Sequence, residues 1–125
     1  MTILAPPPEQ RLQLGLHGIT MPQGRPMYAI AFDMDIESLR AQYGDPYNDE
    51  YTEIRRVLQE HGFRWQQGSV YFGGDEINAV TCVLAAQDLA RRLPWFAASV
   101  RDIRMLRIEE MNDLMPAVQR GAGST

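Results

Sequence analysis

The stretch from Met27 to Asp33 constrains the fold of this chain more than any other, because it is apolar on both alternating faces and ends in one acid. Such a stretch predicts a β-strand that is covered on both sides of its sheet. The helices of a small domain cover one side only, so we expect a second copy of the sheet to cover the other. Asp33 has two interpretations: it ends the strand as a solvated turn residue, or it serves a site at the strand end.

Composition limits the class of protein. The 125 residues suit one domain with a single core, and 45% hydrophobic with 22% charged residues is ordinary for a soluble globular protein. The lone Cys82 excludes an intramolecular disulfide, and with two histidines it cannot form a Cys/His zinc cage. A signal-peptide pattern is absent, and the longest apolar run, 79–86, is too short to cross a membrane. We therefore expect a cytoplasmic protein without membrane contact.

Charge is unevenly distributed along the chain. The net charge of −4 argues against nucleic-acid binding through a bulk positive field. However, 33–60 holds eight acids and three arginines, whereas 89–108 holds five arginines and one acid. All twelve basic residues are arginine, whose fork geometry suits phosphate and carboxylate. For any one arginine, a solvated surface position or a local ion pair is the alternative.

The chain divides into an arm, a domain and a tail. Residues 1–26 are rich in proline and glycine and predict a loose N-terminal arm; 27–120 form the domain and 121–125 a flexible tail. After the first strand, apolar residues at helical spacing predict a helix from about Pro46 to His61 with Asp45 as its N-cap.

A hairpin, a second helix and a last strand follow. Residues 63–72 predict the hairpin, with its turn near 66–68. The second helix is expected from Asp75, its N-cap, to about Leu93. Its predicted inner face consists of Ile77, Val80, Leu84 and Leu89. The last strand spans 100–108, and 112–119 predicts a further helical turn interrupted by Pro116.

This order of elements predicts an α+β fold, a ferredoxin-like βαββαβ antiparallel sheet with two helices on one face. The uncovered face calls for a dimer. That expectation agrees with the first strand, whose two faces are both apolar.

Carboxylates cluster at the end of the first strand. Asp33 is followed by Asp35 and Glu37, and paired carboxylates can hold Mg²⁺ through oxygen ligands. Asp33 can alternatively act as a general base. Asp35 and Glu37 are expected to be solvated.

Two further segments offer groups that bind phosphate. Ser69 and Gly68 lie at the predicted hairpin turn, where a hydroxyl and exposed amides suit a phosphate oxygen, although an ordinary turn is the alternative. The last strand carries arginine on both alternating faces, and Arg101 and Arg104 could clamp phosphate while Asp102 orients one of them. A structural Arg/Asp cluster beside a dimer interface is the competing interpretation.

Five motifs together resemble the virulence-associated protein D (VapD) family over about 27–118, in order and at compatible spacing. They are Met27 to Asp33, Tyr43 to Tyr47, Gly62-Phe63, Gln67 to Tyr71 and Ser99 to Arg104. The resemblance implies a ferredoxin-like homodimer related to the small CRISPR-associated endoribonucleases, and some members are ribonuclease toxins of toxin–antitoxin pairs. The functional aspartate of the family matches Asp33, and the functional serine in its Gln-Gly-Ser motif matches Ser69. Members usually begin at the residue that matches Met27.

The resulting hypothesis is a homodimeric endoribonuclease. Asp33 would activate a 2′-hydroxyl or a water directly or through Mg²⁺, Ser69 would position the phosphate, and Arg101 or Arg104 would stabilise its charge. The expected partners are a second copy of the chain, RNA and an antitoxin protein. The alternative is a non-catalytic dimeric adaptor that binds nucleic acid or protein.

Overall fold

The computed structural model describes residues 26–43 and 49–123. Its elements are, in chain order, β1 (Met27–Met34), α1 (Ile36–Tyr43), α2 (Asp49–Glu60), β2 (Phe63–Gln67), β3 (Val70–Gly73), α3 (Ala79–Arg92), α4 (Phe96–Ser99), β4 (Val100–Ile108) and α5 (Met115–Gly123). None of these helices is both long and apolar enough to span a membrane.

The four strands form one antiparallel sheet in the order β2-β3-β1-β4. The hairpin of β2 and β3 therefore lies on one side of β1, and β4 returns to pair with its other side. This is the strand order of the ferredoxin-like fold. The predicted α+β fold class is confirmed.

Both faces of β1 carry buried residues, as its two apolar faces predict. On one face Ile30, Phe32 and Met34 join a core that includes Ile54 of α2 and Leu89 of α3. On the opposite face, which we call the open face, Met27, Ala29 and Phe72 form a smaller buried cluster, against which half-buried Val70, Ile108 and Met111 pack. A second copy as the cover of the open face stays a prediction.

The first helical region differs from the prediction. An additional helix, α1, occupies the segment expected to be a connection, and α2 begins at Asp49. Asp35 caps α1, because its side chain accepts a hydrogen bond from the Ser38 backbone N–H at 3.2 Å. The predicted cap and first position of the longer helix, Asp45 and Pro46, lie outside the described residues.

The predicted start of the second helix is wrong, and of its predicted inner face Ile77 and Leu89 are buried whereas the other two residues are not. Helix α3 begins after Asn78, which forms a reciprocal capping box with Thr81, and Asp75 is an exposed loop residue. Val80 and Leu84 are exposed, and the buried residues of the helix are Cys82, Ala85, Asp88 and Leu89. The run 79–86 is apolar all round, so sequence alone does not determine which face turns inward.

The remaining elements follow the prediction more closely. The hairpin turn lies one residue later than expected, at Gly68 and Ser69, and β4 has its predicted limits. Pro116 lies in the first turn of α5, where proline is tolerated. This helix continues through Gly123, three residues into the segment predicted to be a flexible tail.

Candidate functional site

Asp33 lies within the strand rather than in a turn. It pairs with β4, where Asp102 is directly opposite. Opposite residues of an antiparallel pair point to the same face, so these two carboxylates share the open face. The side chain of Asp33 is 53% exposed. This placement favours the strand-end site over the solvated turn residue.

A β-bulge brings Arg101 to the end of β1. Asp33 pairs with Asp102 and Met34 pairs with Val100, so Arg101 is the extra residue of β4. Its two terminal nitrogens each lie 3.7 Å from a carboxylate oxygen, Nη1 from Asp33 and Nη2 from Asp35. The bulge explains only the placement of Arg101, since Arg104 and Arg107 lie in the regular part of the strand, opposite Ala31 and Tyr28 and thus on opposite faces.

Asp35 is tied into the site rather than freely solvated, which corrects the expectation from sequence. Its backbone N–H donates to the carbonyl of Ser99 at 2.7 Å, at the start of β4. The hydrogen bond from the Ser38 N–H and the positive charge of Arg101 hold the pKa of Asp35 below its ordinary value. Asp35 therefore remains ionised and available as a partner for Arg101 at neutral pH.

Arg104 belongs to the same group of charges through Asp102. Its Nε lies 3.0 and 3.1 Å from the two carboxylate oxygens of Asp102, so one of the two arginines is oriented by this acid as the sequence suggested. Arg104 is opposite Ala31 of β1 and so shares the open face with Asp33. We call these charges the strand-end cluster; its members are Asp33, Asp35, Arg101, Asp102 and Arg104.

Ser69 lies beside the cluster through a backbone contact. The N–H of Phe32 donates to the carbonyl oxygen of Ser69 at 3.1 Å, which places the hairpin turn next to the residue that precedes Asp33. Ser69 is half-buried. The turn reaches the end of β1 within a single chain and does not need a second copy to bring it there.

The carboxylates do not form a three-ligand metal site. Within 26–43 and 49–123, no group of three His, Cys, Asp or Glu side chains is arranged to hold a metal ion. Asp33 and Asp35 instead face the guanidinium of Arg101, whose charge opposes a second cation. Asp33 as a metal ligand and Asp33 as a general base both stay predictions.

Two contributors to the site do not emerge from the sequence analysis. Asp35 holds Arg101, and the indole N–H of Trp65 donates to the carbonyl of Gly68 at 2.8 Å. For Asp35 a signal existed, because an aspartate directly before helical residues is a common N-cap. For Trp65 no pattern indicates a hydrogen bond to a turn three residues away.

The comparisons with known proteins agree on one family. Residues 26–115 match the family model described as CRISPR associated protein Cas2. Endoribonuclease VapD 2 of Riemerella anatipestifer is 53% identical over 93 residues, which are 74% of this chain and 99% of the relative. An endoribonuclease VapD homolog of Helicobacter pylori is also 53% identical over 93 residues, covering 74% and 97%. Endoribonuclease VapD of Dichelobacter nodosus is 45% identical over 96 residues, covering 77% and 100%.

Proposed function

The chain belongs to the VapD/Cas2 family, and from that premise we propose that it is an endoribonuclease that cleaves RNA phosphodiester bonds at the strand-end cluster. The observation that carries the proposal is the exposed carboxylate of Asp33 at the end of a buried strand, with Arg101 brought to 3.7 Å by a bulge. An acid and a cation side by side are what phosphodiester cleavage needs.

Asp33 supplies the general base. Cleavage begins when a 2′-hydroxyl or a water loses its proton and attacks the phosphorus in line with the leaving oxygen; the bond from phosphorus to that oxygen breaks, and the leaving oxygen takes a proton from water. The exposed carboxylate of Asp33 can accept that proton. General-base assistance contributes about two to four orders of magnitude in rate.

The arginines stabilise the charge of the phosphate. Arg101 is 58% exposed, and its contacts with Asp33 and Asp35 are longer than hydrogen bonds, so a phosphate oxygen can compete for its donors. Arg104 adds a second positive charge, oriented by Asp102. Ser69, at the adjacent turn, positions the phosphate. One preorganised donor contributes about two to three orders of magnitude.

A homodimer is the second part of the proposal. Met27, Ala29 and Asp33 share the open face, and so does Leu106, an exposed apolar residue of β4. Met27 and Ala29 are already buried within one chain, so a second copy stacked on this face would chiefly bury Leu106 and bring the two Asp33 side chains towards a shared cleft. The antitoxin partner implied by the resemblance stays a prediction.

A cleavage assay with matched variants tests the activity. Purified protein is incubated with labelled RNA, with Mg²⁺ and with EDTA, alongside Asp33→Asn and the control Asp75→Asn, which removes the same charge from an exposed loop. We expect cleavage by the wild type and the control, a large loss in Asp33→Asn, and activity that survives EDTA. Undiminished cleavage by Asp33→Asn would remove Asp33 from the mechanism. No cleavage by the wild type under either condition would favour the non-catalytic adaptor.

A further inference from the structure

The hairpin turn that carries Ser69 is held from two sides. On one side the indole Nε1–H of Trp65 donates to the carbonyl oxygen of Gly68 at 2.8 Å. On the other side the carbonyl oxygen of Ser69 accepts the N–H of Phe32 at 3.1 Å. The first bond fixes the peptide before Ser69, and the second fixes the peptide after it.

Fixing both peptides fixes the residue between them. A peptide unit is planar, so its carbonyl direction also determines the direction of its N–H. Once the planes on both sides of Ser69 are set, its two backbone dihedrals are set, and so is the direction in which its Cβ leaves the chain. Gly68, with φ of +51°, provides the left-handed conformation that the turn requires.

The indole is itself held in place. Trp65 is half-buried and packs against the helix-side core, and its register partner across the hairpin is Tyr71. The guanidinium carbon of Arg55, on α2, lies 3.8 Å from the centroid of the indole ring. A β-bulge follows, because Trp65 pairs with Tyr71 whereas Gln67 pairs with Val70. Contacts with α2 and with β3 therefore hold the indole N–H in position.

We infer that Trp65 is a positioning residue for RNA cleavage, which holds Ser69 in one orientation beside the end of β1 through the Gly68 carbonyl. The inference rests on the proposed function and goes beyond it, since Trp65 is not a member of the strand-end cluster. Trp65 acts on the reaction only through the turn. Losing its N–H should therefore lower kcat and leave KM nearly unchanged.

The test is a double-mutant cycle. Trp65→Phe keeps an aromatic ring beneath Arg55 and removes the N–H; it is compared with Ser69→Ala, with the double variant, and with Trp95→Phe as a control. Trp95 is also half-buried, but its ring packs on Tyr43 and Phe96. We expect kcat to fall about fivefold to tenfold for Trp65→Phe, because the variant loses roughly one hydrogen bond. For the control, kcat should fall less than about twofold.

The coupling decides whether Trp65 acts through Ser69. In the Ser69→Ala background the Trp65→Phe change should have no further effect on kcat. Independent, multiplicative losses would overturn the inference, as would a Trp65→Phe variant with unchanged kcat or a Ser69→Ala variant as active as the wild type. All three results would leave the proposed endoribonuclease activity in place.

Amide hydrogen exchange provides a readout that does not depend on activity. The Phe32 N–H, which is bonded to Ser69, should exchange about tenfold faster in Trp65→Phe. The Leu39 N–H, which donates to Asp35 at 2.9 Å in α1, should not change. If the wild type cleaves no RNA, the proposed function fails, and unchanged exchange at Phe32 would overturn the positioning role separately.

Discussion

Among the residues that the structure describes, two clusters of acids and arginines differ in how completely the hydrogen-bonding capacity of their acids is used. In the strand-end cluster, Asp33 is 53% exposed and forms an ion pair with Arg101 at 3.7 Å. The second, which we call the helix-end cluster, joins the C-terminal end of α2 to α3. Its members are Glu60, His61, Asp88, Arg91 and Arg92.

Asp88 is the opposite of Asp33 in its surroundings. Its side chain is 10% exposed, it lies 2.8 Å from Nε2 of His61, and it also contacts Arg91 and Arg92. The hydrogen bonds of Arg91 and His61 hold the pKa of Asp88 far below its ordinary value. Both of its carboxylate oxygens already have donors from the protein. A buried acid whose oxygens accept hydrogen bonds from several residues stabilises the contact between helices. An exposed acid with a distant ion-pair partner can take part in a reaction.

The largest effect on cleavage is expected from removing the charge of Asp33 in the strand-end cluster. Asp33→Asn should lower kcat/KM for RNA by about 10²- to 10⁴-fold, the loss of general-base assistance. Its melting temperature should stay the same or rise slightly, because Asp33 lies opposite another carboxylate, Asp102, and like charges opposed on a sheet destabilise it. Kinetics and calorimetry on the same preparation check both parts. If the loss of activity were explained by a lower melting temperature of the variant, this role of Asp33 would be contradicted.

The next effect concerns the arginine of the bulge. Arg101→Gln should lower kcat/KM about 10- to 100-fold, because the phosphate loses a charged donor. Arg107→Gln is the matched control, an arginine of the same strand with the same exposure, 58%, that pairs with Glu109. Equal losses in the two variants would show that general positive charge, rather than the position of Arg101, supports the activity.

Asp88→Asn should produce the reverse pattern. It should lower the melting temperature by about 10 °C, since two arginines and a histidine lose their buried anion, and leave cleavage within about twofold. The pKa of Asp88 is lowered in the folded state, so its contribution is present above the unfolded pKa, near 4, and is lost as pH falls below it. Wild type and variant should therefore converge in stability towards low pH. A constant gap between their melting temperatures would contradict this.

The sequence predicted the strands better than the contacts between them. The β1 and β4 limits follow from runs of strand-forming residues, and Asp33, Arg101 and Arg104 are all identifiable as candidates. The partner of Arg101 is not, because a single extra residue in β4 decides that Arg101 meets Asp33. Arg104 and Asp102 are two residues apart on one strand and share a face without the bulge. A bulge depends on which backbone groups pair across two strands, and one strand does not contain that information.

The orientation of α3 also depends on contacts with other parts of the chain, which its own sequence does not contain. The face of α3 that turns inward depends on where the chain enters from β3, and Gly73 allows a close approach there: a Cβ on it would lie 2.6 Å from the Cβ of Ile77. Ile77 packs at this point, the helix begins after Asn78, and Val80 and Leu84 lie on its outer side. Apolar residues occur on every side of 79–86, so the sequence pattern fitted either orientation.

Glu50 tests whether burial or pairing separates the two clusters, because it is buried like Asp88 but no described residue forms a hydrogen bond with its carboxylate. It is 0% exposed at the start of α2, and among the described residues neither carboxylate oxygen has a hydrogen-bond partner. Burial, with smaller contributions from Asp49 and Glu53, raises its pKa to about 7. Between its unfolded pKa near 4.5 and 7, the folded state holds a proton that the unfolded state has lost. The free energy of unfolding should therefore fall as pH rises through this window.

Glu50→Gln removes this titration and should flatten the decline. At pH 8 the variant should be more stable than the wild type by about 1 kcal/mol, because the neutral amide no longer buries a charge, and cleavage should be unchanged. Urea unfolding at pH 5 and pH 8 measures the difference, with Glu76→Gln, a change at an exposed loop residue, as the control. Parallel pH profiles for Glu50→Gln and wild type would mean that Glu50 is ionised without cost. Burial of a carboxylate would then not by itself separate acids that stabilise the fold from acids that take part in catalysis. The number of hydrogen bonds that the carboxylate accepts would separate them.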